Sequence, residues 1–190
     1  MKTKAGRGMV VLVSLLLIAA SASAQTPPAT LHLEGPQVVA AFSDFMKNSP
    51  SKEEVSALLN KADQKVSEFE SIVNTLKPNL EKAHPGAAKD ILVGAANAHK
   101  LISGMQTKGP SARGLVGVLS VLDDLSRSAS RESVLLLVDG GVSPSVVTEV
   151  TALSSAGNAL YDISELVFHA TFRAVGAADD LISQLMNLLK

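Results

Sequence analysis

The sequence predicts an all-α fold, a single-domain helical bundle of about five to seven helices without disulfides. Three observations lead to this prediction. Apolar residues recur at alternating spacings of four and three in several segments after residue 50. Prolines occur where such segments begin, which is the first-turn position that a helix tolerates. The chain has no cysteine, so its core alone must hold the domain together.

Residues 1–24 are typical of a cleavable signal peptide. A basic start is followed by an apolar run over 9–20, and the small residues of 22–24 form the pattern that signal peptidase cuts. We therefore expect cleavage after Ala24 and a secreted or periplasmic protein. An uncleaved anchor is the alternative, but the run is shorter than the about 20 residues of a spanning helix. No transmembrane segment is expected after cleavage.

Residues 25–35 contain a proline pair and are predicted to be a flexible lead-in, and residues 36–190 are predicted to form the bundle domain. Signal cleavage removes three basic residues and no acidic one, which changes the formal net charge from −1 to −4. A mildly acidic chain is a poor match for a phosphate backbone. Aromatic residues make up 3% of the chain and leave few platforms for base stacking. We expect no nucleic-acid partner.

The predicted helix starts follow one logic. Ser51 and Glu54 have the spacing of a capping box, which marks the start of one helix. Four other starts carry a proline at or just before the apolar-periodic segment, where the missing backbone N–H is tolerated. These four residues are Pro36, Pro85, Pro110 and Pro144.

The segment 51–83 has the most regular pattern of the chain. Its apolar residues form a heptad seam, and charged residues occupy the rest of the helix surface. We expect an antiparallel partner for this seam within the same chain, with a dimeric coiled coil as the alternative. Pro78 lies in the last turns and predicts a kink or an early end. The seam residues are Val55, Leu59, Ala62, Val66, Phe69, Val73, Leu76 and Leu80.

Three further helices are predicted before residue 142. The first covers 87–107, and the second, about 111–129, is apolar over much of its circumference, which indicates a central position. The run "VLLLV" at 134–138 could be a strand, but no other segment offers a pairing partner. We therefore expect a separate short helix that begins near Ser130 and ends at the glycine pair 140–141.

The last section is predicted to begin at Ser143 and Pro144 and to break or bend at Gly176. Asp179 and Asp180 then suit the N-terminus of a final helix. We interpret the leucine-rich face of that helix as core packing. A membrane-surface face is the alternative, but the polar side lacks the lysines and arginines that such helices carry.

No catalytic, metal or cofactor signature stands out. Ser49 and Lys52 have the spacing of some acyl-transfer enzymes, but the further motifs of such a site are absent. The four histidines lack the spacings of zinc, di-iron and haem sites. One metal hypothesis adds His99 from another helix to the helix face that carries Asp162, Glu165, His169 and Arg173. A solvated face is the simpler interpretation, and we expect neither enzyme activity nor a cofactor.

The abundance of aliphatic surface decides the order of the functional hypotheses. Segments 115–125, 134–147 and 181–189 carry more of it than the heptad seam needs. The first hypothesis is an exported, non-enzymatic bundle that binds a fatty acyl or lipid-like ligand in or along its core. The alternative is an exported interaction or self-assembly module, a homo-oligomer included, that uses a heptad helix face; an exported enzyme ranks third. The predicted ligand-binding residues are Leu115, Leu119, Leu122, Val134, Leu137, Val147 and Leu185.

Overall fold

A computed structural model describes residues 36–188, and the predicted signal peptide and lead-in lie outside this range. Within it all regular structure is α-helical, which confirms the all-α class. Four long helices of 22 to 45 residues form the bundle, after one short helix, so the bundle itself has fewer helices than the about five to seven predicted. The helices are α1 (Pro36–Asn48), α2 (Lys52–Ala83), α3 (Ala87–Lys108), α4 (Ala112–Gly140) and α5 (Pro144–Leu188). None of them is long and apolar enough to cross a membrane.

Two predicted helix boundaries are absent. The separate helix expected over 130–140 is the second half of α4, so the apolar run there is helical and continuous with the preceding segment. The break or bend expected at Gly176 does not interrupt α5. Buried residues continue past both positions, at Leu136 in α4 and Leu181 in α5. At Gly176 this packing outweighs the about 1 kcal/mol by which glycine disfavours a helix.

Of the kink or early end predicted at Pro78, the early end is absent, because α2 continues to Ala83. Pro78 is exposed, so the carbonyl that loses its helical partner faces water. Leu76 and Leu80, on either side of the proline, are both buried and hold the last turns of the helix against the core.

Serine residues cap the starts of α2 and α5, and a glycine caps the end of α4, as predicted. The Ser51 hydroxyl accepts a hydrogen bond from the backbone N–H of Glu54 at 3.0 Å. The Glu54 carboxylate does not complete the capping box but accepts a hydrogen bond from Arg173 of α5. The Ser143 hydroxyl caps α5, and Gly141 ends α4 with a positive φ of 67°, which glycine adopts readily.

The heptad seam of α2 forms the centre of the bundle. All eight of its residues are buried, which confirms the prediction. Consecutive long helices pack as neighbours, α5 closes the ring against α2, and α1 lies on α5. The seam therefore finds its partners within the same chain, as expected, and it is not exposed to a second copy.

Candidate functional site

Three of the seven residues predicted to bind a hydrophobic ligand are buried in the structure. Leu115 and Leu122 belong to the main core cluster, together with residues from α2, α3 and α5. Leu185 is buried near the C-terminal end of α5. Helix packing alone accounts for the burial of these three side chains.

The other four predicted residues lie at the surface or at its boundary. Val134 and Val147 are exposed, and Leu119 and Leu137 are half-buried. Leu119 contributes to a groove between α4 and α5. The seven residues thus occupy different environments and do not form one lining.

His99 binds to α2, which separates it from the α5 residues of the metal hypothesis. Its Nδ1 atom lies 2.6 Å from Oδ1 of Asp63, and its Nε2 atom lies 3.3 Å from Oε2 of Glu70. Two ring nitrogens facing two carboxylates suit the doubly protonated imidazolium, in which both are donors. Among residues 36–188 no group of three or more His, Cys, Asp or Glu side chains could hold a metal ion.

Stability near neutral pH should depend on His99. Burial lowers the pKa of His99, but the hydrogen bond that His99 donates to Asp63 and the charges of Asp63 and Glu70 outweigh burial and raise the pKa above its ordinary value. A raised pKa means that the stabilisation is fully present below about pH 6.5, the unfolded value, and is lost as the pH rises through the folded pKa. We expect a loss of about 0.5–1 kcal/mol from this contact. Urea denaturation from pH 5.5 to 9 measures it.

The control for this prediction is His99→Gln. Glutamine keeps a donor near the two carboxylates but does not titrate, so the variant should lack this part of the pH dependence. An unchanged pH profile in the variant would show that other groups cause the slope.

The most complete candidate site is a surface groove of about 570 Å³ between α3 and α4. Leu101 and Met105 of α3 and Val121 of α4 supply its apolar part. Lys100 and Lys108, on the same side of α3, lie at its edge and form no ion pair with any residue in the described range. The two lysines are eight residues apart, a rise of about 12 Å along the helix.

Glycines shape this groove. A Cβ on Gly114 would lie 2.4 Å from Sδ of Met105, so this glycine leaves the space that the methionine side chain occupies against α4. A Cβ on Gly104 would meet nothing within 4 Å, so this position opens into free space in the groove. The groove therefore exists because small residues face it from both helices.

The lining of the groove combines an apolar surface with lysines and one hydroxyl group. Its hydroxyl group, that of Ser111, already accepts the capping hydrogen bond from the N–H of Gly114 at 3.1 Å. Its charged groups are lysines, and no histidine or carboxylate belongs to its lining. An apolar floor with two ammonium groups at the edge can hold an apolar chain that ends in an anion.

Sequence reasoning did not identify this groove. Leu101 and Met105 are four residues apart and so share a face of α3, and Lys100 and Lys108 lie beside them at helical spacing. That pattern indicates half of the groove. The other half comes from α4. Packing sets the register between the two helices, and residue spacing along one helix does not determine that register.

Comparisons with protein-family models, with curated protein sequences and with solved structures find no significant match.

Proposed function

We propose that this protein is an exported, non-enzymatic binding protein for an amphiphile with an acyl chain and an anionic headgroup. The observation that supports the proposal is the α3–α4 groove, in which Leu101, Met105 and Val121 lie next to Lys100 and Lys108. The export part follows from the signal-peptide pattern of residues 1–24.

The size and composition of the groove suit such a ligand. Its volume of about 570 Å³ lies within the about 300–1,000 Å³ that is common for small-molecule sites. Each methylene of an acyl chain that leaves water contributes about 0.8 kcal/mol. The lysine ammonium groups add attraction for a carboxylate, sulfate or phosphate head. The apolar part thus provides affinity, and the cations select the headgroup.

Filling the groove should weaken binding. In Gly104→Leu the new side chain enters the open space of the groove, and leucine favours the helix more than glycine does. We expect laurate, titrated below its micelle concentration, to bind at least about tenfold more weakly to this variant by isothermal titration calorimetry. Gly176→Leu is the matched control, because that glycine of α5 also has nothing within 4 Å and lies outside the groove.

The headgroup part of the proposal has its own measurement. Lys100→Gln combined with Lys108→Gln should weaken laurate about five- to tenfold and leave dodecanol, which has the same chain and no charge, unchanged. Native mass spectrometry of the protein from its own host should also detect an acyl compound of a few hundred daltons. A protein that binds neither laurate nor dodecanol, or a Gly104→Leu variant that behaves like Gly176→Leu, contradicts the proposal.

A further inference from the structure

Helix α5 carries an exposed apolar stripe in addition to its buried one. Along 161–186, eight positions alternate at spacings of four and three, and Glu165 and Asp179 occupy two of them. The other six are large apolar residues that are all exposed, and the stripe spans about 38 Å of helix. These six are Tyr161, Phe168, Phe172, Val175, Ile182 and Met186.

The stripe has the composition of an interaction surface. It holds three of the six aromatic residues of the chain. The rings of Phe168 and Phe172 stack with centroids 6.3 Å apart, and the Phe172 side chain is 68% exposed. Aromatic residues are enriched among those that dominate binding energy at interfaces.

A groove of about 490 Å³ lies between the N-terminal end of the stripe and α4. Val116 and Leu119 line it from α4, and Tyr161 and Phe168 line it from α5. A pocket beside exposed aromatic residues can accept one anchoring side chain of a partner. The surface is therefore a stripe with one deeper pocket, not a flat face.

The charged residues within and beside the stripe are mainly acidic. Asp162, Glu165, Asp179 and Asp180 form no ion pair within the described part of the chain. The two nearby arginines form ion pairs with other carboxylates. Arg127 pairs with Asp123 at 2.5 Å, and Arg173 pairs with Glu54.

We propose that this stripe docks a basic amphipathic helix of a partner protein. Its apolar side would lie on the six exposed residues, and its lysines or arginines would face the carboxylates. Glu165 and Asp179 are two heptads apart, so basic residues at the same separation, about 21 Å, would meet both. A second copy would bring the same carboxylates instead of cations, and an anionic membrane would be repelled by them.

A pair of synthetic helical peptides tests the proposal on the full protein. Both are four heptads long with leucine at a and d; one carries lysine at e and g, and the other carries glutamate there. Fluorescence anisotropy should show at least about tenfold tighter binding of the lysine peptide. Equal affinity for the two peptides overturns the charge argument and with it the proposal.

Substitutions locate the binding surface. Phe172→Ser should weaken the lysine peptide at least about tenfold, and its exposure means that the fold does not depend on it. Val138→Ser, at a 77% exposed valine of α4, is the control and should not change the affinity. Glu165→Lys combined with Asp179→Lys should move the preference toward the glutamate peptide.

Three other results would overturn the proposal. The first is a Phe172→Ser variant that binds the lysine peptide as the original protein does. The second is a dimer in sedimentation that Phe172→Ser dissociates, which would assign the stripe to a second copy. The third is binding to phosphatidylcholine vesicles that the same variant loses, which would assign it to a lipid surface.

Discussion

Replacing His84 by alanine is expected to lower the free energy of unfolding by about 2–4 kcal/mol, because it leaves a buried carboxylate with too few partners. The Glu132 side chain is 0% exposed, and the Nδ1 atom of His84 lies 3.0 Å from its Oε1 and 3.1 Å from its Oε2. The remaining contact is from Nε of Arg131, which donates to Oε1 at 2.7 Å. Urea denaturation at constant pH measures the loss.

Methionine at position 132 separates the role of the charge from that of the histidine. Glu132→Met keeps a side chain of similar length and removes the carboxylate that needs partners, so it should be less damaging than His84→Ala. His84 is 41% exposed and can turn to water when Glu132 is absent. In the Glu132→Met background, His84→Ala should therefore change stability by less than about 1 kcal/mol. A loss as large as in the original background would show that His84 does not act through Glu132.

Residue Glu132 illustrates where sequence patterns stop being informative. Its position continues the buried face of α4, between Ala129 and Leu136, but a charged residue in a predicted helix suggests a solvent-facing turn. Its burial depends on His84, 48 residues earlier in the chain. The spacing of residues along one helix does not reveal a contact with a residue that lies outside that helix.

The α2 seam was predictable for the opposite reason. A helix with one apolar stripe and charged residues elsewhere can bury only that stripe, so the eight seam residues follow from spacing alone. Helix α5 carries two apolar stripes, and spacing does not say which of them faces the core. Val167 and Leu181 do, whereas Phe172 and Ile182 do not.

The candidate groove was less predictable than the fold. Residues chosen for their aliphatic character included core positions such as Leu122 and exposed positions such as Val134, because hydrophobicity does not distinguish packing from binding. Gly104 leaves free space in the groove, and Gly114 leaves room for the Met105 side chain that lines it. Small residues indicate close approach in general, but only the helix register shows which of them leave free space.

Two glycines of α5 should respond in opposite directions to the same substitution. A Cβ on Gly157 would lie 2.6 Å from the Cβ of Ala129 and 3.5 Å from the backbone oxygen of Ser126, at the contact of α5 with α4. The helices must separate to accept it, and we expect Gly157→Ala to lower the free energy of unfolding by about 1–3 kcal/mol. A Cβ on Gly176 meets nothing within 4 Å, so Gly176→Ala should raise it by up to about 1 kcal/mol.

A compensating change identifies the cause. Ala129→Gly removes the methyl group that the new Cβ would strike, so it should recover part of the stability lost in Gly157→Ala, despite the about 1 kcal/mol that a helical glycine costs. In the original background the same change should only destabilise. Urea denaturation of the four proteins measures the coupling between the two positions. If the two changes simply add, the α4–α5 contact has room for a methyl group, and Gly157 is not what sets the distance between the two helices.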